Sequence, residues 1–297
     1  MNAYNPDHVP NTPWLTAMKS NPDFTLFTNA YSCVWYTVPV LEHALTESNF
    51  YNDKPSTNPF PSSTWPRKPA IRRTGSATRF CRRRRYAYHL GGQYGRCLRM
   101  GRPGPEGIDA GRRPPAVPQA RRSQGKELRR PPHHGSHIEY RNRYPKEFQK
   151  FNDGKINQEA DFDNTVLYTD WVLSQIYDYA RDNLHLDAMV YFSDHGSDPD
   201  VARQPDSASF KVLRIPMFCY LSDAYQKRNP DVVKAIKANK DKYFTNDLEY
   251  EFICGVLNMQ SPNYDSAMSI ASSKWSMERK DLKTRFGKTS LMEDTEY

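Results

Sequence analysis

The run Asp187-Ala-Met-Val-Tyr-Phe-Ser193 leads directly into Asp194-His195-Gly196. Its seven residues have no helical spacing, and such a continuous run reads as a strand buried on both faces, the kind found in parallel sheets. Upstream, from Asn164 to Leu184, apolar residues at Val166, Leu173, Ile176, Ala180 and Leu184 recur every three to four positions. That stripe predicts an amphipathic helix with Asp163 or Asn164 as its N-cap. Helix followed by buried strand implies an α/β layer. Open α/β sheets hold their ligands beyond the carboxyl ends of strands, so Asp194 and His195 stand where chemistry is expected. A carboxylate oxygen beside an imidazole nitrogen is donor chemistry suited to zinc or a similar divalent ion.

Working outward, Val212 to Leu221 reads as a second strand, with Pro216 favouring its start or a sheet edge. Asp231 to Asn239 and Asn246 to Leu257 read as helices. The stretch from Ser272 to Tyr297 is polar and is expected to be loosely ordered. No internal repeat and no Gly-rich phosphate loop is visible. The five cysteines are odd in number and lack a C-x-x-C spacing, which argues against a zinc finger or a disulfide framework. Cys219 and Cys254 lie in apolar runs and read as buried free thiols.

At 297 residues the chain has room for one large α/β domain or two ordinary ones. Only 37% of it is hydrophobic, and its mean hydropathy is −0.85. The dilution has a definite address. Arg67 to Pro132 holds 17 Arg and 2 Lys against three acids, a net charge of +16, so the remainder of this +8 chain sums to −8. This block also contains 8 Pro and 9 Gly and shows neither helical nor strand periodicity. A mildly acidic protein is interrupted by a basic insert that cannot bury a core. The organisation expected is therefore residues 1–65 and 134–271 as two parts of one catalytic domain, 66–133 as an anomalous, disordered segment, and 272–297 as a polar tail.

The insert has three readings: an arginine-rich nucleic-acid arm, a disordered linker, or a coding region read in the wrong frame. The last is preferred, because arginine pairs written CGT CGT become Val-Val one base later. Lys126 to Pro132 could thus conceal a short buried strand ending in histidine. No specific nucleic-acid partner is expected. No stretch reaches the roughly 18–20 apolar residues of a membrane span, and no signal peptide is evident.

A second cluster, His133-His134-Gly135-Ser136-His137 followed by Tyr140, Arg141, Arg143 and Tyr144, offers imidazoles and guanidinium groups that could hold a phosphate or sulfate. Four stretches now carry a likeness: Asn11-Thr-Pro-Trp-Leu15; Phe27-Thr-Asn-Ala-Tyr-Ser-Cys33 running on to Thr37-Val-Pro-Val-Leu41; Gly135-Ser-His-Ile-Glu-Tyr-Arg-Asn-Arg-Tyr-Pro145; and Asp163 to Asp170 with Tyr191-Phe-Ser-Asp-His-Gly196. In this order they resemble the phosphoethanolamine transferases of the sulfatase and alkaline-phosphatase superfamily.

The resemblance implies an α/β three-layer sandwich with a central mixed sheet, incomplete here. It also implies a zinc-assisted threonine nucleophile that takes phosphoethanolamine from phosphatidylethanolamine and passes it to lipopolysaccharide, in a catalytic domain on the periplasmic side of the bacterial inner membrane. By the same likeness Asp194 and His195 match metal ligands, and His137 matches a residue that holds the substrate phosphoryl group. The family's nucleophile belongs to a Cys-x-Thr-x-Thr pattern. Here the run is Cys33-Val-Trp-Tyr-Thr37, so Trp35 occupies the nucleophile's place and Thr37 stands at the second threonine. An indole N–H only donates and can neither attack phosphorus nor bind zinc. Met1-Asn-Ala-Tyr matches the continuation of a family segment, Glu-Ser-x-x-Arg-Asp-His-Met, whose glutamate is a metal ligand. The expectation is a transferase of this type that is inactive or impaired. The alternatives are a sulfatase-like hydrolase of phosphate or sulfate esters, and a non-enzymatic arginine-rich nucleic-acid-binding protein. The Cys33 run lacks the proline and arginine of the sulfatase motif.

Overall fold

The computed structural model describes residues 1–54, 135–200, 209–259 and 261–295, together with the backbone of 85–91. The expected strand forms as β4 (Leu186–Ser193). It pairs antiparallel with β5 (Met217–Leu221), which pairs antiparallel with β1 (Phe24–Phe27). On its other side β4 pairs parallel with β3 (Arg85–Gly91), giving a mixed sheet in the order β1-β5-β4-β3.

The apolar run of β4 is continuous because both faces of the sheet are covered. Leu186, Met189 and Tyr191 pack with Phe24, Phe218 and Tyr220 against α1 (Pro13–Met18) and α3 (Gln158–Leu184), through Leu15, Met18, Leu173, Tyr177 and Ala180. Ala188, Val190 and Phe192 face the opposite way. With Met217, Cys219 and Leu221 they meet α2 (Thr37–Ala44), α6 (Pro230–Asn239) and α7 (Glu249–Val256) through Val40, Ala44, Val233, Ile236, Phe252 and Ile253. Alternation along β5 and, from Ala188 onward, along β4 thus assigns successive residues to two different cores, which produces three layers. Between β5 and α6 lies the short α5 (Asp223–Arg228), and a two-stranded parallel pair joins β2 (Asn29–Tyr31) to β6 (Tyr243–Thr245).

Several expectations need correction. α3 begins six residues before Asn164, with the Asn157 side chain accepting from the Ala160 N–H as N-cap. Its first turns bury polar residues, which hide the helical stripe. Asp161 accepts from the Tyr144 hydroxyl at 2.5 Å, Asp163 from the Asn11 amide at 2.8 Å, and Asn164 from the backbone N–H of Lys150 at 2.7 Å. The second strand is shorter than Val212–Leu221, because a single helical turn, α4 (Phe210–Leu213), precedes Pro216. The 3-10 turn Asn246–Leu248 leads into α7, so the predicted helix over 246–257 holds in substance.

The polar stretch after Ser272 is not loose in its described residues. Trp275, Leu282 and Leu291 are buried in the core, and β7 (Lys283–Thr284) pairs with β8 (Thr289–Ser290). At the tip of that hairpin Arg285, Phe286 and Gly287 all have positive φ, an arrangement that two non-glycine residues adopt only when neighbours hold them. The Phe286 N–H donates to the Cys33 carbonyl at 3.3 Å, and its ring meets Trp35 edge-on. In the basic insert, residues 85–91 form β3, although no strand periodicity was read there. Pairing with β4 needs only backbone groups. The rest of segment 66–133 lies outside the described residues.

Candidate functional site

Strand β4 carries Asp194 and His195 off its carboxyl end, where both are buried. Helix α2 points its amino end at the same place, with Thr37 as its first residue. The Thr37 hydroxyl donates to Asp194 Oδ2 at 2.6 Å. His195 Nε2 lies 3.6 Å from the same oxygen. A carbonyl can only accept, so the 2.7 Å bond between His195 Nδ1 and the Gly196 carbonyl requires a proton on Nδ1. Gly196 is needed for close approach. A Cβ there would stand 3.0 Å from the carbonyl oxygens of Lys211, Val212 and Arg214, while the Gly196 N–H donates to Val212 at 2.7 Å.

These residues share one cavity of about 110 Å³, lined also by Gly135, Ser136, His137 and Asp170. The three segments singled out in the sequence, Thr37, Gly135 to His137, and Asp194-His195, therefore converge although they are far apart in the chain. Tyr140 supports the convergence, its hydroxyl donating to Ser197 Oγ at 3.0 Å.

Trp35 does not line this cavity. Its indole packs against Tyr36 and Phe286, and its buried Nε1 has no hydrogen-bond partner among the described residues. Cys33 is fully buried, and burial pushes its thiol pKa well up, so it is not poised as a nucleophile.

Three contributors escaped the sequence reading. Asp170 on α3 accepts from the N–H groups of Trp14 at 2.8 Å and Leu15 at 3.0 Å, tying the first turn of α1 to the cavity wall. Ser32 and Asn246, both buried, bond the Asp194 carbonyl at 2.5 and 2.8 Å. Their only sequence signal is a polar side chain next to a short apolar segment, which is common to caps and turns.

The donors fit a divalent metal in kind: a hard carboxylate oxygen, an imidazole nitrogen and a hydroxyl crowd one point. They fall short in number, since a catalytic zinc centre takes three protein ligands, and among the described residues no group of three His, Cys, Asp or Glu side chains is placed to hold an ion. Among those residues no helix is long and apolar enough to cross a membrane.

Comparison with known proteins bears on the fold and the family likeness. Residues 132–251 match the Sulfatase family model. Phosphoethanolamine transferase EptA of Escherichia coli (strain K12) is 27% identical over 162 residues, covering 46% of this chain and 28% of the relative. Phosphoethanolamine transferase EptC of the same strain is 26% identical over 251 residues, covering 74% and 42%. The chain spans less than half the length of these relatives. The crystal structure of the C-terminal periplasmic domain of Escherichia coli EptC, in complex with Zn, superposes with a TM-score of 0.65 at 21% identity, over 98% of this chain and 87% of that one. The corresponding domain from Campylobacter jejuni gives 0.59 at 16% identity, over 94% and 91%. The fold is the α/β sandwich of the alkaline-phosphatase and sulfatase type.

Proposed function

We propose that this chain, which is similar to the phosphoethanolamine transferases of the alkaline-phosphatase and sulfatase superfamily, retains the outline of their active site but is severely impaired in transfer. The observation that carries this reading is the 2.6 Å bond from Thr37 to Asp194 in a cavity shared with His195 and His137. Asp194 and His195 are the residues that would hold a zinc ion, and Thr37 is the available hydroxyl. When bound, zinc would neutralise charge on a phosphoryl oxygen and lower the pKa of a neighbouring hydroxyl.

The remaining roles belong to the chain's own residues. Thr37 Oγ1 bonds to the phosphorus of phosphatidylethanolamine as the bond to the diacylglycerol oxygen breaks, the threonine proton passing to that oxygen. A hydroxyl or phosphate oxygen of lipopolysaccharide then displaces Thr37, which regains a proton. His137 holds the phosphoryl group, and the amino end of α2 favours its negative charge. A periplasmic setting is supported by the names of the structural neighbours, which are periplasmic domains.

Impairment follows from the short ligand count among the described residues and from Trp35, which stands at the family's nucleophile position and faces the hairpin instead of the cavity. A sulfatase-like hydrolase has no support in a fully buried Cys33. The test is incubation with a labelled phosphatidylethanolamine analogue, zinc and a lipid A acceptor, followed by mass spectrometry of the protein. Trace labelling confined to Thr37 and abolished by Thr37→Ala is expected. Turnover equal to that of an intact relative would overturn the impairment, and labelling that survives Thr37→Ala would overturn the assignment of the hydroxyl.

A further inference from the structure

We infer that Asn246 is a positioning residue that locks the tip of β4 to the loop presenting Thr37; the inference rests on the reading of the cavity just given. Asn246 is fully buried at the step from β6 into the 3-10 turn before α7. Parallel pairing of β2 with β6 sets Tyr31 against Thr245, so Ser32 and Asn246 lie one residue beyond the last pair, side by side. From there the amide works in both directions. Its Oδ1 accepts the Cys33 N–H at 2.9 Å, and its Nδ2 donates to the Asp194 carbonyl at 2.8 Å, with the Ser193 carbonyl at 3.4 Å. Ser32 Oγ, 2.5 Å from both the Asp194 and the Val34 carbonyls, shares its one proton between the two sides of the junction.

A closed circuit results. The Asp194 side chain accepts from Thr37, its main chain is held by Asn246, and Asn246 holds Cys33, four residues before Thr37. The separation of hydroxyl and carboxylate is therefore set from both ends by one planar amide whose donor and acceptor are both used. No other residue type offers a donor and an acceptor in that geometry at that length; glutamine would be one methylene too long. Asn239 supplies the comparison. It is also buried, and its amide donates to the carbonyls of Ile270 at 3.0 Å and Ser272 at 3.2 Å, outside the cavity lining.

The experiment compares Asn246→Ala, Ser32→Ala and Asn239→Ala, reading two quantities: the Thr37 Oγ1 to Asp194 Oδ2 distance in crystal structures of the metal-free proteins, and affinity for zinc alone by chelator competition. In Asn246→Ala the distance is expected to open beyond about 3.5 Å, and zinc affinity to fall about tenfold or more, as when a group orienting a metal ligand is removed. Ser32→Ala, a smaller perturbation that remains informative should Asn246→Ala not fold, moves both in the same direction by less. Asn239→Ala lowers the melting temperature and moves neither. An unchanged distance in both Asn246→Ala and Ser32→Ala overturns the inference. Failure of the parent protein to bind zinc overturns the metal reading instead, while the distance still decides the role of Asn246.

Discussion

Asp170 offers a pH experiment whose sign and size follow from its surroundings. The carboxylate is buried beneath α1, and burial raises its pKa to about 6 despite the two N–H groups of Trp14 and Leu15 that favour the charged form. In the unfolded chain the same group titrates near 3.8. Between these values the folded protein holds the proton more tightly, so folding stability is greatest below the lower value and declines as pH rises through the window. At about 1.4 kcal/mol for each pH unit, the contribution lost by pH 7 is on the order of 3 kcal/mol. Asp170→Asn keeps a side-chain oxygen for one N–H and removes the titration. Urea unfolding of the parent and of Asp170→Asn, at intervals from pH 4 to pH 7, gives a difference in which other titrating groups cancel. The stability of the parent relative to the variant should fall by that amount across the interval. A flat difference would refute the reasoning, because it would mean that the carboxylate is as well solvated folded as unfolded.

Other expectations follow from the same contacts. Gly196→Ala forces a methyl group among three carbonyl oxygens and should cost about 1–3 kcal/mol, read as a lower urea midpoint with unchanged slope. Trp35→Ala removes a partly buried indole packed against Phe286 and should destabilise by about 1–3 kcal/mol, visible in thermal melting; a loss below about 0.5 kcal/mol would mean that the hairpin is not seated on it. Glu251, pushed to about 7 by burial, adds a decline in stability from about pH 4.5 to 7, which Glu251→Gln should remove. Sequencing the gene between codons 66 and 133 should reveal a neighbouring frame with strand and helix patterns; a frame without them favours a genuine basic insert.

The central strand and the long helix were legible in the sequence because a two-sided core leaves an unbroken apolar run and a regular stripe. The first turns of α3 were not, because Asp161, Asp163 and Asn164 are buried by hydrogen bonding, which hydropathy does not register. The packed hairpin after Ser272 was missed for a related reason: a few residues, Trp275, Leu282 and Leu291, anchor a polar stretch whose turn depends on contact with Trp35 and Cys33. Asp194, His195, Thr37 and His137 could be nominated from chemistry and likeness. Their shared cavity could not, since it is assembled by segments far apart in the chain that meet through the sheet and through bonds of Ser32, Tyr140 and Asn246.

Zinc titration of the metal-free protein beside Asp194→Ala and His195→Ala decides whether these two side chains hold a metal. One weak site is expected, emptied readily by a chelator and lost in either variant while both remain folded. Binding that persists in both variants, or no binding by the parent protein, would contradict that expectation.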